Sequence, residues 1–362
     1  MTLLLVRRAS LLSVAAIALV ALFAGLARLG IPVSSAGARA ASHGPLFVLG
    51  VFFPLIALER AVALGTRTGY VVPLLGLVAG IGMVANVPAL RILSAIAAGT
   101  LLLLNAALWR KQPSAHLVLM LVGSVCLVVG SVAFALDVSV SEVVLSWMGF
   151  FVLTIVAERI ELARFAAPPR LALHAILGLA FALAGLTLLD LFLGGRTTRA
   201  VGVLLALTGA WLLRYDLARR TLRQAGLPRF AASAALLAAG WLLCSGLLLC
   251  CYGLPAAGPV YDAILHGVFV GFVLSMVFGH APIILPAVAR TAVPFHPVFY
   301  APLLALHCGL LARWSGDLAG VPLLRQAGGL ANAVALAAFP IAVMWARRRS
   351  ITHVSIDGLR AK

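Results

Sequence analysis

The sequence predicts an all-α polytopic membrane protein of about 12 transmembrane helices, and three observations lead there. The 362 residues are 63% hydrophobic and only 10% charged, with a mean hydropathy of +1.13. A water-soluble domain needs far more charge to cover its surface. Apolar runs of ~20 residues, the length that crosses a hydrocarbon core, follow one another almost from end to end. The basic residues, finally, sort into alternate loops.

The first span, 10–29, follows the segment MTLLLVRRAS. Paired arginines ahead of an apolar run resemble a signal peptide. The run is as long as a full span and lacks a clear small-residue cleavage site, so it is read as a helix. Spans two, three and four, at 44–64, 70–89 and 92–109, end at the break WRKQPSAH (109–116). Spans five and six, 115–136 and 142–160, end at RFAAPPR (164–170). Spans seven and eight, 171–192 and 198–217, run into an Arg-rich segment. Spans nine to twelve are 231–253, 262–287, 297–313 and 327–346. No linker is long enough to separate a second domain, so residues 1–362 form a single integral membrane domain with a tail at 347–362.

The net charge of +17 invites a nucleic-acid reading, which its distribution opposes. With these spans, 20 of the 27 Lys and Arg fall on the side shared by both termini and the even-numbered loops. The positive-inside rule makes that side cytoplasmic. The charge is a topology signal, and no nucleic-acid partner is expected. The five cysteines form no CxxC pair and read as small apolar packing residues.

An internal repeat is visible. Helix two contains GVFFPLIALER (50–60) and helix six contains GFFVLTIVAER (149–159). Gly50, Phe52, Glu59 and Arg60 match Gly149, Phe151, Glu158 and Arg159 without a gap. Helix ten starts His266-Gly267, as helix two starts His43-Gly44. A spacing of four helices implies three four-helix units, roughly 1–110, 111–220 and 221–346, in a pseudo-threefold arrangement.

The ionisable residues then fall into two layers. Glu59 follows His43 by sixteen residues, ~24 Å along a helix, and His280 follows His266 by fourteen, ~21 Å. An outer layer holds His43, His266 and His307. An inner layer holds Glu59, Arg60, Glu158, Arg159 and His280. Such groups at membrane depth face a protein interior or a water-filled cavity. The inner pairs read either as interfacial anchors or as a proton-uptake or gating cluster. Each outer histidine alone reads as a helix-end residue; together they read as a metal site. Two imidazoles suffice for one haem iron, and copper would take His307 as a third.

Twelve helices in three groups of four, with histidines leading helices two and ten, resemble the catalytic subunit of haem-copper oxidases and nitric oxide reductases. The stretch His266, Gly271, Met276, followed by Gly279-His280, is more similar to NnrS-type membrane proteins, which contain haem and copper and are linked to nitric oxide metabolism. The resemblance implies that His43 and His266 are axial haem ligands near the outer face. Helix six has no histidine, the tandem loop histidines of the oxidase copper site are missing, and helix ten lacks the paired histidine that holds two haems. A complete oxygen- or nitric oxide-reducing centre is therefore not expected.

The resulting expectation is an inner-membrane protein, both termini cytoplasmic, binding haem and/or copper in respiratory or nitric oxide stress physiology. Its partners are then the lipid bilayer and a small gas ligand; whether it is an enzyme stays open. Two other classes are carried beside it. One is a proton-coupled secondary transporter using Glu59 and Glu158, and the other is a cofactor-free membrane scaffold or assembly factor.

Overall fold

A computed structural model describes residues 2–33 and 37–360, with side chains followed to Arg349; the end of the basic tail, including Lys362, lies outside the described residues. Among these residues every regular element is helical. In chain order the main helices are α1 (Leu3–Arg28), α2 (Arg39–Leu64), α3 (Thr68–Val84), α4 (Pro88–Lys111), α5 (Ala115–Ala135), α6 (Val140–Ala163) and α7 (Arg170–Leu193). They continue with α8 (Thr198–Tyr215), α9 (Leu227–Tyr252) and α10 (Pro259–Ala289), α11 (Tyr300–Ala319) and α12 (Pro322–Arg349).

Nine of the described helices are long and apolar enough to cross a membrane. The other three are less apolar or shorter for visible reasons. Helix α3 is a shorter apolar helix, α8 carries Arg199 and Arg214, and α11 carries Arg313 and Asp317.

Helix α6 is the interior post. Between Val143 and Ala157 it carries no charge on any face, as a helix surrounded by protein should, and Trp147, Phe150 and Phe151 on it are fully buried. Its start is set locally by a capping box, in which Ser139 caps the helix and Glu142 accepts from the Ser139 backbone N–H at 3.2 Å; Ser and Glu three apart satisfy two otherwise orphaned donors. Helices α2 and α10 pack beside it. Phe52 meets Phe151 at 5.7 Å, and Phe151 meets Phe269 at 5.9 Å, both edge-on.

These three helices run in the same direction. Their N-terminal ends bring His43 beside His266, and their C-terminal ends bring Arg60 to Glu158 and Arg159 to His280. The bundle thus has a histidine end and a carboxylate end. The glycines of the sequence repeat lie at helix contacts, where a missing side chain lets helices approach. Gly50 touches Ile17 and Gly80, Gly149 touches Thr187, and Gly271 touches Trp241 and Leu310.

One feature was not predicted. Leu46–Phe52 in α2 and Gly267–Leu274 in α10 are π-helical. Each begins within three residues of its histidine. Such wide turns are rare and cluster at functional sites.

Candidate functional site

The first turn of α2 carries His43 toward α1. The ring Nδ1–H donates to the Ala21 carbonyl at 2.8 Å. Gly25, one turn further along α1, makes room for the ring: a Cβ there would sit 2.5 Å from His43 Cε1 and Nδ1. On α10, His266 Nδ1–H donates to the Asp262 carbonyl at 2.8 Å. Both imidazoles are oriented through Nδ1, and neither Nε2 has a hydrogen-bond partner among the described residues. The ring centroids lie 6.2 Å apart with planes 16° from parallel.

Both histidines line a cavity of about 360 Å³ at this end of the bundle, within the usual range for small-molecule sites. Its walls are mainly apolar, with Phe47, Phe52, Trp147 and Phe269 among them, and Arg28, Asp262 and Arg313 are its charged lining residues. Trp147 Nε1, turned toward Gly130 of α5, has no hydrogen-bond partner among the described residues.

Behind His266 stands an ion network. Asp262 Oδ1 is 3.4 Å from His266 Nδ1. Asp262 in turn receives Arg313 in a forked pair at 2.8–3.1 Å, and Arg325 lies 2.9 Å from Asp317. A buried aspartate is held there because a guanidinium fork matches its two oxygens.

His307 is placed elsewhere. Trp241 Nε1–H donates to its Nδ1 at 3.0 Å, and its Nε2 faces Ser275 Oγ at 3.2 Å. An indole can only donate, so Nδ1 accepts and Nε2 carries the proton. Both ring nitrogens are committed, and His307 does not line the cavity. Among the described residues no three His, Cys, Asp or Glu are grouped to hold a metal ion. The expected third ligand is thereby corrected: hydrogen bonding to α9 and α10 turns this imidazole into a packing group.

At the other end the expected inner cluster is assembled. Arg60 bridges two carboxylates, Glu59 at 2.5 Å and Glu158 at 3.3 Å. Arg159 donates to His280 Nε2 at 3.1 Å, and His280 Nδ1–H donates to the Met276 carbonyl at 2.7 Å. Arg159 also makes a forked pair with Asp216 at 2.6 and 2.7 Å. Glu59, Glu158 and His280 line a second cavity of about 180 Å³.

Asp262, Arg313 and Asp216 were missed by the sequence reading. Asp262 sits four residues before His266, a spacing that stacks side chains on one helix face. Arg313 is the last residue of the predicted span 297–313 and sorts with the loop charges, although an arginine at a span end can reach an interior partner. Asp216 is the lone acid in the Arg-rich segment 214–229. Gly25 left no such signal, because only the packing of α1 on α2 gives it meaning.

The sequence matches the family described as Domain of unknown function (DUF8744) over residues 7–348, and the chain belongs to that family. Comparison with curated proteins and with solved structures finds no match.

Proposed function

We propose that this member of the DUF8744 family is an integral membrane protein that binds haem and/or copper through His43 and His266. The observation that carries the reading is the paired presentation of two imidazoles in one cavity. The two rings lie 6.2 Å apart, centroid to centroid, and 16° from parallel, so both could be reached by one group bound in the cavity. Carbonyl acceptors on both Nδ1 atoms fix the tautomer that leaves Nε2 free as a ligand, the usual arrangement behind metal-binding histidines.

The cavity's residues divide the work. His43 and His266 would hold the metal. Phe47, Phe52 and Phe269 supply its apolar walls, and Arg28 would offer positive charge to an anionic group, Arg313 being already paired with Asp262. A bound haem or copper would supply a redox centre or a position for a small gas ligand. Two histidines without a third ligand suit a haem better than a closed copper site, and favour sensing, storage or electron transfer over a complete reductase.

The same reading extends the architecture to twelve spans in three pseudo-repeats around α2, α6 and α10, in the cell inner membrane with both termini cytoplasmic. The positions of Gly50, Gly149 and Gly271, each set against helices of its own third of the chain, support the repeat. An absorption spectrum with metal analysis of the purified full-length protein tests the function. A Soret band or stoichiometric copper is the expected result; neither, after expression with haem precursor and copper supplied, would sink it.

A further inference from the structure

The two cavities lie end to end along the interior of the bundle. The cavity at the histidine end and the cavity at the carboxylate end share one lining residue, Phe52. Around it the wall changes hands within a residue: Leu274 of α10 lines the first cavity and Val273 the second. Phe52 is 5% exposed and sits edge-on against Phe151, which sits edge-on against Phe269. An aromatic layer thus stands between a space lined by His43, His266 and Asp262 and a space lined by Glu59, Glu158 and His280.

The backbone on both sides of this layer is unusual in the same way. The π-helical stretch of α2 ends at Phe52, and that of α10 ends at Leu274. Where the first stretch ends, the Phe53 N–H bonds to the Val48 carbonyl, five residues back. A π turn holds one residue more than an α turn, and moving that residue along the helix rotates the side chains between by about 100°. Helix α6, which carries the third ring of the layer, is α-helical throughout. Two of the three helices at the layer therefore have a built-in means of turning against a fixed third.

We propose that the two cavities are halves of one water path through the bundle, with Phe52 as its gate and the two π-helical stretches as its hinges. The permeant class is water and the protons it carries. Glu59 and Glu158 can take up and release protons at one end, and the cavity holding His43 and His266 receives them at the other. In the structure the aromatic layer closes the path. Rotation of α2 within Leu46–Phe52 moves the Phe52 ring out of the shared wall and joins the two spaces. This path does not depend on metal at His43 and His266, so either reading can fail while the other stands.

The test uses the full-length protein in vesicles with a trapped pH-sensitive dye and an imposed pH step. Phe52→Ala, or the milder Phe52→Leu, should collapse the gradient roughly ten-fold faster than the wild type, equivalent to lowering a barrier by about 1.4 kcal/mol. Adding Glu158→Gln to either variant should remove most of that gain. Wild-type rates in a folded Phe52 variant overturn the gate, and a leak that Glu158→Gln leaves unchanged overturns the path. On the unsubstituted protein, backbone amides of 46–53 and 267–275 should exchange with deuterium roughly ten-fold faster than those of 55–63, as expected for segments that open locally. Equal protection overturns the hinges, whichever variants fold.

Discussion

The imidazole of His43, on α2, lies 6.2 Å from that of His266, on α10, centroid to centroid, although 222 residues separate them in the chain. Each is turned by a carbonyl on its Nδ1, from Ala21 and Asp262, so that the same nitrogen of both rings is left free. His43→Ala and His266→Ala should therefore each abolish haem or copper retention. His280→Ala should spare it, since His280 belongs to the cluster at the opposite end. His307→Ala should spare the ligand too, because its ring nitrogens are already occupied. Absorption spectra and metal content of the four purified variants decide this. Retention in both His43→Ala and His266→Ala would remove the site.

Gly25 offers a finer probe of the same geometry. A methyl group there would sit 2.5 Å from two atoms of the His43 ring, while at Gly44, next to His43, it would meet no described residue within 4 Å. Gly25→Ala should push the ring off the Ala21 carbonyl and weaken ligand retention roughly ten-fold or more, the size of effect seen when a metal ligand loses its orienting partner. Gly44→Ala should leave it near wild type. Equal retention in the two variants would mean that the position of His43 is not set by α1.

The carboxylate end predicts a stability difference. Arg159 and Asp216 are both buried, their side chains 7% and 3% exposed, and paired at 2.6 Å. Removing one partner strands a buried charge, so Asp216→Ala should lose about 3–5 kcal/mol. Glu59→Ala should cost only about 1 kcal/mol or less, because Glu59 is 26% exposed and Arg60 keeps Glu158. Thermal unfolding in detergent ranks the two. A larger loss from Glu59→Ala would show that the Arg60 bridge, and not the Arg159 pair, holds this end together.

Much of this arrangement was legible in the residues. The apolar runs marked the helices because a bilayer demands ~20 apolar residues in a row, and the His-Gly starts of α2 and α10 marked the cavity because they repeat. The Glu-Arg pairs were legible as a layer by counting helical rise. What escaped depends on relations between helices or on local backbone deviations. The π-helical stretches conserve the apolar pattern and change only the hydrogen bonding, which composition does not register. His307 looked equivalent to the other outer histidines in depth, but Trp241 and Ser275 decide its bonding, and both lie on other helices. Asp262 was visible as a residue, yet its role appears only when Arg313 reaches it from α11.

The last prediction concerns orientation. Contacts place several segments at one end of the bundle. Arg7 near the N-terminus bonds to Tyr70 and to the Ala287 carbonyl, Lys111 bonds to the Leu64 carbonyl, and Arg220 bonds to the Phe165 carbonyl. These are the segments into which the basic residues sort, including Arg219, Arg220 and Arg223 after α8. Arginine and lysine in short loops are retained on the cytoplasmic side during insertion. A fluorescent protein fused after residue 225 or at the C-terminus should therefore be bright, and alkaline phosphatase at the same positions should be inactive. Phosphatase fused after Gly195, between α7 and α8 at the histidine end, should be active. The reverse pattern would place the carboxylate end outside, and Glu59 and Glu158 would then face the compartment opposite to the one their charge neighbours demand.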